Sequence, residues 1–313
     1  MKNKKVSLTG AGLAGSLLGI YLAKRGFEVT IYERRGDMRR LEMSAGRSIN
    51  LALSTRGIYA LDQVGLADTI LREAIPMSGR MMHAPDGALT FQRYGKDDSE
   101  VINSISRSGI NCKLMDAAEE AGVTIRFNQR CTGVDFATGD LEFVGENGDA
   151  YTITSDTLIA CDGATSPVRM EMQKTGRFNL QQSYLEHGYK ELTIPAGAGG
   201  SFQMEKHALH IWPRGTYMLI ALANLDGSFT CTLFLPYAGE PGFDDLTTPK
   251  DVEAFFAEQF ADTIPLMPDL ADTFFANPTG NLITIKCHPW HVGGRALLLG
   301  DSAHAIVPFY GQG

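Results

Sequence analysis

The sequence is short of cysteine pairs, of positive charge and of long apolar runs, and each shortage excludes a class of protein. Its 313 residues include five cysteines, none in a C-x-x-C spacing. This argues against a disulfide framework or a zinc site and indicates a reducing, cytosolic-type compartment. The net charge of −8 argues against a nucleic-acid-binding protein, whose binding surface is basic. No run of about 18 apolar residues is present, so no transmembrane helix is predicted.

Metal ligands and nucleophile–base pairs are also scarce. His288 and His291 lie three residues apart, but Pro289 breaks the helix that would align them, so we predict no metal site. Ser54 and Ser302 have no triad context. The sequence therefore offers no catalytic side chain of its own, and ordinary acid–base or nucleophilic catalysis is not predicted.

What the sequence does contain is a strand, a glycine turn, a helix and a second strand at its N-terminus. Gly10 would allow the tight turn, Gly12 would let the backbone approach a pyrophosphate, and Gly15 would let the helix pack on the strand. Glu33 ends the second strand 18 residues after Gly15, where a carboxylate accepts hydrogen bonds from a ribose diol. This pattern predicts a dinucleotide site; the alternative is a glycine-rich structural turn.

The identity of the dinucleotide depends on three charged residues. Glu33 would repel a 2′-phosphate, which argues against NADP at this position. Arg34 and Arg35 follow it directly, and arginine near this position can accept a 2′-phosphate. The alternative is that these arginines simply form a solvated strand end.

Two further strand ends carry an aspartate. Asp162-Gly163 follows the apolar run "TLIAC", with Arg169 seven residues on, and Gly300-Asp301 follows "ALLL". Asp301 could accept a hydrogen bond from a ribityl hydroxyl. Each element alone is an ordinary strand-end turn, and a nicotinamide-dependent dehydrogenase needs neither.

The three elements in this order resemble the flavoprotein aromatic hydroxylases. These are single-component FAD monooxygenases of the p-hydroxybenzoate hydroxylase fold, in which the three elements fold around one FAD. Other segments narrow the resemblance to the kynurenine 3-monooxygenases, and the similarity runs from the N-terminus to Gly313. They are "GRSINLALSTRG", "RMMH", "YGKDDSEVI", "SISR", "HGYKELTIP", "LHIWPRGTYMLIALANLDGSFTCTLFLP", "WHVGG" and "GDSAHAIVPFYGQG".

The predicted fold class is α/β, a Rossmann-like FAD-binding domain with an inserted, mostly antiparallel β-sheet substrate domain. The pattern is α/β at the start, rich in β-formers and turns in the middle, and α/β again near the end. We assign residues 1–75, 101–175 and 290–313 to the FAD-binding domain, and residues 76–100 and 176–289 to the substrate domain.

The predicted FAD site combines the motif residues with positions that the resemblance supplies. The resemblance contributes the positions of Leu13, Ala52, Arg107 and Cys131, and supports Glu33, Arg34 and Asp301. For Arg107 the alternative is a surface salt bridge. The whole predicted set is Gly10, Gly12, Leu13, Gly15, Glu33, Arg34, Arg35, Ala52, Arg107, Cys131, Asp162 and Asp301.

The resemblance also implies substrate-binding residues. Arg80 matches the arginine that pairs with the substrate carboxylate, and Tyr94 the tyrosine that hydrogen-bonds the same end. From the residues alone, Arg80 lies among methionines and needs an anionic partner, which an intramolecular Asp or Glu could equally be. Phe309, Tyr310 and Gln312 follow Asp301 and are expected to line the pocket over the flavin ring.

The activity that the resemblance implies is hydroxylation of L-kynurenine to 3-hydroxykynurenine, in tryptophan degradation and NAD biosynthesis. NADPH would reduce FAD, and dioxygen would add at C4a to give a hydroperoxyflavin that hydroxylates C3. No second G-x-G-x-x-G is visible for NADPH, so the nicotinamide is expected to bind transiently across the domains. The alternatives are a nicotinamide-dependent dehydrogenase, a flavin hydroxylase acting on another aromatic acid, and an inactive FAD-binding fragment.

Relatives continue past "GQG" with a helix facing the flavin and a long helical region. We therefore expect this chain to bind FAD weakly and to turn over poorly, with the longer parent active. A membrane anchor, if the parent has one, would lie in the further part, and the location predicted for this chain is the cytoplasm.

Overall fold

The computed structural model describes residues 5–40, 50–97, 99–309 and 311. Numbered along the chain, the strands are β1 (Lys5–Thr9), β2 (Glu28–Tyr32), β3 (Asn50–Leu53), β4 (Ile75–Met77), β5 (Gly79–His83), β6 (Leu89–Arg93), β7 (Ile102–Ser106), β8 (Thr124–Arg126), β9 (Arg130–Asp135), β10 (Asp140–Val144), β11 (Ala150–Thr154), β12 (Thr157–Ala160), β13 (Asn179–Ile194), β14 (Ala208–Arg214), β15 (Tyr217–Ala223), β16 (Phe229–Pro236), β17 (Thr279–His288), β18 (His291–Val292) and β19 (Ala296–Leu298).

The α-helices are α1 (Leu13–Ala23), α2 (Thr55–Asp62), α3 (Ala67–Leu71), α4 (Arg107–Glu120), α5 (Pro167–Met172), α6 (Pro249–Gln259), α7 (Leu270–Ala276) and α8 (Asp301–His304). Three 3₁₀ helices span Ala198–Gly200, Phe243–Asp245 and Ala261–Leu266. Among the described residues, no helix combines the length and apolar character needed to cross a bilayer.

A six-stranded sheet contains the first strand, β1, and the last, β19. Its order is β18-β19-β12-β1-β2-β8, and its neighbouring strands are parallel except for β18 and β19. Helices α1 and α4 pack against each other and, with the sheet, enclose an apolar core. Short apolar strands buried on both faces are typical of a parallel sheet, and here the buried residues include Val6, Leu8, Val29, Ile31 and Ile159.

A seven-stranded sheet forms the second large unit, in the order β17-β13-β16-β15-β14-β5-β6. Its strands are antiparallel apart from the parallel pair β5 and β14. Helices α6 and α7 contribute an aromatic core that includes Phe255, Phe256 and Phe274. Helix α6 begins at Pro249 because Thr248 and Asp251 form a reciprocal capping box.

Two three-stranded sheets complete the structure, β3-β7-β4 and β11-β10-β9. The architecture confirms the predicted fold class, a Rossmann-like parallel sheet combined with a mostly antiparallel one. The proposed division into two discontinuous domains stays a prediction.

Candidate functional site

The carboxyl ends of four neighbouring strands place the predicted cofactor elements at one edge of the parallel sheet. β1 leads into Gly10, β2 into Glu33, β12 into Asp162 and β19 into Gly300. These strands are adjacent in the order β19-β12-β1-β2. Elements far apart in sequence therefore meet at the edge where open α/β sheets bind their ligands.

The three glycines of the first turn have three different environments. Gly10 has φ +93°, and a Cβ there would lie 2.4 Å from the Cys161 carbonyl oxygen. A Cβ on Gly15 would lie 2.0 Å from the Gly10 carbonyl oxygen, so the start of α1 lies directly against the turn. A Cβ on Gly12 would have no atom within 4 Å. Gly12 therefore faces open space, as a backbone approached by a ligand requires.

Glu33 is buried and accepts three hydrogen bonds. Its Oε2 accepts from the Ala11 N–H at 2.8 Å, and its Oε1 accepts from the Arg35 N–H at 3.0 Å and from Arg35 Nε at 2.8 Å. Burial alone would raise the pKa of this carboxyl, but the hydrogen bonds and charge of Arg35 lower it. A carboxylate has about four acceptor sites, so room for a ribose hydroxyl remains. Arg35 forms an ion pair with Glu33. The guanidinium of Arg34 has no such partner among the described residues.

The Asp-Gly and Gly-Asp elements are joined by Ser302. Its hydroxyl donates to Asp162 Oδ1 at 2.7 Å and accepts from the Gly163 N–H at 3.0 Å. Arg169, 1% exposed, donates from Nη1 to the Ser302 carbonyl oxygen at 2.9 Å and from Nη2 to the Ala164 carbonyl oxygen. The guanidinium and the hydroxyl thus fix the two loops relative to each other.

Only one carboxylate oxygen of Asp162 has a hydrogen-bond partner among the described residues. Oδ2 is buried and makes no hydrogen bond to any residue that the structure describes. Burial raises the pKa of this carboxyl, although the hydroxyls of Ser166 and Ser302 oppose the rise. A buried acceptor without a donor is costly, so this oxygen suits a ligand hydroxyl.

These elements surround a cavity of about 630 Å³. Ten of the twelve predicted cofactor residues line it. Gly15 lies behind the turn, and Ala52 lies outside the cavity in β3, where its N–H donates to the Gly311 carbonyl oxygen at 2.9 Å. The lining residues are Thr9, Gly10, Gly12, Leu13, Ala14, Tyr32, Glu33, Arg34, Arg35, Arg107, Gln129, Arg130, Cys131, Thr132, Cys161, Asp162, Gly163, Thr165, Pro167, Leu299, Gly300 and Asp301.

The cavity suits a dinucleotide with a pyrophosphate. The N-terminus of α1 opens on it, and within the described part of the chain no side chain caps that end, so its N–H groups and dipole can face phosphate. The guanidinium groups of Arg34, Arg107 and Arg130 line the same cavity and add positive charge. The two thiols in the wall are inert, because burial raises the pKa of both Cys131 and Cys161 to about 12.

The predicted substrate residues Arg80 and Tyr94 are in contact. The Arg80 guanidinium lies over the Tyr94 ring, 5.4 Å from its centre, and burial raises the pKa of the Tyr94 phenol while the charge of Arg80 opposes the rise. Arg80 forms no salt bridge within residues 5–40, 50–97, 99–309 and 311. The intramolecular carboxylate that the sequence left open as an alternative is therefore not found among these residues.

Arg80 borders an apolar face of the seven-stranded sheet. It pairs in register with Leu209 of β14, whose side chain belongs to a cluster with Phe234 and Phe309. The Phe309 ring meets the Phe234 ring edge-on at 5.1 Å. Of the three residues predicted to cover this region, Phe309 lies on the apolar face, whereas Tyr310 and Gln312 lie outside the described residues.

The cavity and the apolar face approach each other at Arg107 and Tyr189. Arg107 lines the cavity, and its charge acts on the phenol of Tyr189, which packs in the cluster that contains Phe309. This electrostatic interaction indicates that the cavity lies near the apolar face.

The fold and the cavity define an FAD-binding protein. The family described as "FAD binding domain" matches residues 3–313, and FAD is the cofactor. Two solved structures show the fold: a tetrameric form of 2-methyl-3-hydroxypyridine-5-carboxylic acid oxygenase, with a TM-score of 0.78 at 20% identity over 100% of this chain and 79% of that one, and p-nitrophenol 4-monooxygenase PnpA from Pseudomonas putida DLL-E4, with 0.73 at 17% over 98% and 74%.

The chain belongs to the kynurenine 3-monooxygenase family of FAD-dependent monooxygenases. It is 57% identical to the kynurenine 3-monooxygenase of Myxococcus xanthus over 310 residues, 98% of this chain and 67% of that protein. It is 49% identical to the enzyme of Stenotrophomonas maltophilia over 312 residues, 99% of this chain and 69% of that protein. The chain thus spans about two thirds of the length of these relatives.

Several residues of the site were missed from the sequence. Ser302 has no triad context in the sequence, and Gln129, Arg130 and Thr132 belong to no motif. The available signal was positional: Ser302 directly follows the motif residue Asp301, and the other three follow the carboxyl end of β8 within six residues. Tyr32, the last residue before Glu33, lines the cavity and stacks on the Phe143 ring at 4.4 Å.

Proposed function

We propose that this protein hydroxylates L-kynurenine to 3-hydroxykynurenine, consuming NADPH and dioxygen, as a step of tryptophan degradation and NAD biosynthesis. The observation that carries the proposal is the Arg80 guanidinium, which lies on the Tyr94 ring beside an apolar sheet face and has no carboxylate partner among the described residues. Relatives with the name kynurenine 3-monooxygenase support the choice of substrate.

The residues of the parallel-sheet edge would hold FAD. The N-terminus of α1, with Arg107, would bind the pyrophosphate, Glu33 a ribose hydroxyl, and the free oxygen of Asp162 another hydroxyl. Bound there, FAD would supply the capacity to take up a hydride from NADPH and to activate dioxygen for transfer of one oxygen atom to an aromatic ring. NADPH is proposed to bind transiently across the two large sheets.

The residues on the substrate side would orient kynurenine and exclude water. A kynurenine carboxylate would pair with Arg80 and accept a hydrogen bond from Tyr94, which fixes the direction in which the aromatic ring extends. The apolar cluster around Phe234 and Phe309 would receive the ring and exclude water from the reacting carbon. All five cysteines are unpaired, which suits a reducing compartment, and we place the protein in the cytoplasm.

The test is Arg80→Gln, assayed with kynurenine and with its decarboxylated analogue. Losing a charge-assisted hydrogen bond costs about 1.5–3 kcal/mol, so the KM for kynurenine should rise roughly tenfold or more. The KM for the analogue and the affinity for FAD should stay unchanged. Arg72→Gln removes an exposed guanidinium elsewhere and serves as the control. An unchanged KM for kynurenine, or an equal rise for both compounds, would refute the role of Arg80.

A further inference from the structure

A chain of hydrogen-bonded side chains lies on the other face of the sheet from Arg80. His83 Nδ1 lies 2.8 Å from Asp262 Oδ2, and His83 Nε2 lies 2.8 Å from His210 Nδ1. His210 Nε2 lies 2.8 Å from the Glu205 carbonyl oxygen. The two imidazoles are 5% and 2% exposed, whereas the side chain of Asp262 is 38% exposed, so solvent reaches one end of the chain.

Counting hydrogens fixes the protonation of this relay, which we define as Asp262, His83 and His210. A carboxylate and a carbonyl only accept, so His83 Nδ1 and His210 Nε2 must both carry hydrogen. The contact between the two imidazoles requires a third hydrogen. Two neutral imidazoles carry only two, so with Asp262 ionised one of the rings is an imidazolium.

Two observations place the extra proton on His83. Burial lowers the pKa of His210 to about 4, so His210 is the neutral ring, which accepts at Nδ1. The His83 ring stacks on the Trp212 indole with centres 3.9 Å apart and planes at 25°, and an indole face attracts a cation.

Hydrogen bonds stabilise the Asp262 carboxylate, which is the negatively charged end of the relay. Asp262 accepts from Trp212 Nε1 at 2.9 Å through Oδ1 and at 2.8 Å through Oδ2. Burial alone would raise the pKa of Asp262, but hydrogen bonds from His83 and Trp212 lower it. The other charged groups that act on the relay are Glu205, near His210, and Arg214, near Asp262.

The relay anchors the strand that carries Arg80. His83 is the last residue of β5, three residues after Arg80. The outer neighbour of β5 is β6, whose five residues are all exposed, so the sheet supports β5 weakly on that side. Arg214 adds a backbone anchor, donating from Nη1 to the His83 carbonyl oxygen at 3.0 Å and from Nε to the Gln259 carbonyl oxygen at 2.6 Å.

We propose that His83 is a buried imidazolium bridging Asp262 and His210, and that this relay positions β5 so that Arg80 meets the substrate carboxylate. His83 and Asp262 are positioning residues, because they act through Arg80 from the opposite face of the sheet. The positioning role rests on the proposed function of Arg80, whereas the protonation of His83 does not.

The protonation is tested by ¹⁵N NMR of the protein labelled at histidine. At about pH 8 a solvent-exposed histidine is neutral, so one doubly protonated ring should stand out among the seven histidines. Asp262→Asn removes the countercharge but keeps an acceptor, and it should abolish that signal. Asp272→Asn, an exposed aspartate on α7, should retain it. A folded wild-type protein with every histidine neutral at this pH would overturn the proposal.

The positioning role is tested on the same variants by kynurenine binding and turnover. Displacing Arg80 weakens its charge-assisted contact with the substrate carboxylate, so we expect Asp262→Asn to raise the KM for kynurenine roughly tenfold while kcat and FAD affinity are retained. Wild-type KM in Asp262→Asn would overturn the positioning role. If instead Arg80→Gln leaves the KM unchanged, the proposed function fails and the NMR result still decides the protonation.

Discussion

The two halves of the candidate site are built by different means. At the edge of the parallel sheet the site is formed mainly by the main chain, because glycine turns, a helix N-terminus and strand ends surround the cavity. On the seven-stranded sheet, side chains alone define the site, because Arg80, Tyr94 and Phe309 lie on regular strands or a loop. A Cβ on Gly10 or Gly15 of the first half would overlap backbone atoms, whereas substitutions in the second half would remove binding groups and leave the backbone in place.

The largest predicted effect is a difference in stability between alanine substitutions at two glycines of the first turn, Gly12 and Gly15. A Cβ on Gly15 would lie 2.0 Å from a backbone oxygen, so Gly15→Ala should destabilise the protein by about 4 kcal/mol and abolish FAD binding. Gly12→Ala adds the same methyl group into open space. Its unfolding free energy should change by less than about 0.5 kcal/mol, while FAD affinity falls.

Urea unfolding of the apoprotein and titration with FAD measure the two effects separately. Equal stability of Gly12→Ala and Gly15→Ala would contradict the distinction between a packing glycine and a ligand-facing glycine.

The second effect probes the polar relay behind the substrate side. The pKa of His210 is about 4 in the folded protein and about 6.5 in the unfolded chain. Between these values the unfolded chain binds the extra proton, so this group's stability contribution is complete above pH 6.5 and lost as the pH falls toward 4. The loss is about 3 kcal/mol.

Urea unfolding at several pH values measures this slope, and His210→Asn should flatten it. The Gly12→Ala variant, with all histidines intact, should keep the wild-type slope. A His210→Asn variant as acid-sensitive as the wild type would show that His210 is not held neutral by burial.

The contrast between the halves also explains which residues of the site could be predicted from the sequence. Turns that need glycine and aspartates that end apolar strands are local patterns, so Gly10, Asp162 and Asp301 could be predicted and lie at one cavity. Ser302 joins Asp162 across 140 residues, and His83 joins Asp262 across 179. Such partners depend on strand order, which no local pattern encodes.

A capping hydrogen bond explains a smaller difference between the predicted and the observed structure, at the start of α4. The apolar spacing predicts a helix from Ile110, but α4 begins at Arg107 because the Ser106 hydroxyl accepts from the Gly109 N–H at 3.2 Å. This shift places Arg107 at the start of the helix, on the cavity. Ala52, supplied by the resemblance alone, lies instead beside Gly311, whose carbonyl oxygen accepts from the Ala52 N–H.

A third effect tests whether Asp162 is kept for a ligand. Its pKa is raised by burial, so the ionised carboxylate costs stability above the unfolded pKa, and this cost vanishes as the pH falls below that value. Asp162→Asn should therefore stabilise the apoprotein at neutral pH by about 1 kcal/mol and lose this advantage near pH 3. Its FAD affinity should fall, because an amide N–H replaces the free acceptor. A less stable variant with intact FAD affinity would argue for a purely structural Asp162.

The smallest predicted effect concerns the hydroxyl of Tyr94 on the substrate side. Tyr94→Phe keeps the ring beneath the Arg80 guanidinium and removes only the hydroxyl, whose hydrogen bond to a carboxylate is worth about 1 kcal/mol or slightly more. The KM for kynurenine should rise roughly fivefold, with thermal stability unchanged. Tyr94→Leu also removes the ring and should raise the KM further, because Arg80 loses the surface that holds it. If Tyr94→Phe matches the wild type while Tyr94→Leu does not, Tyr94 acts only by orienting Arg80.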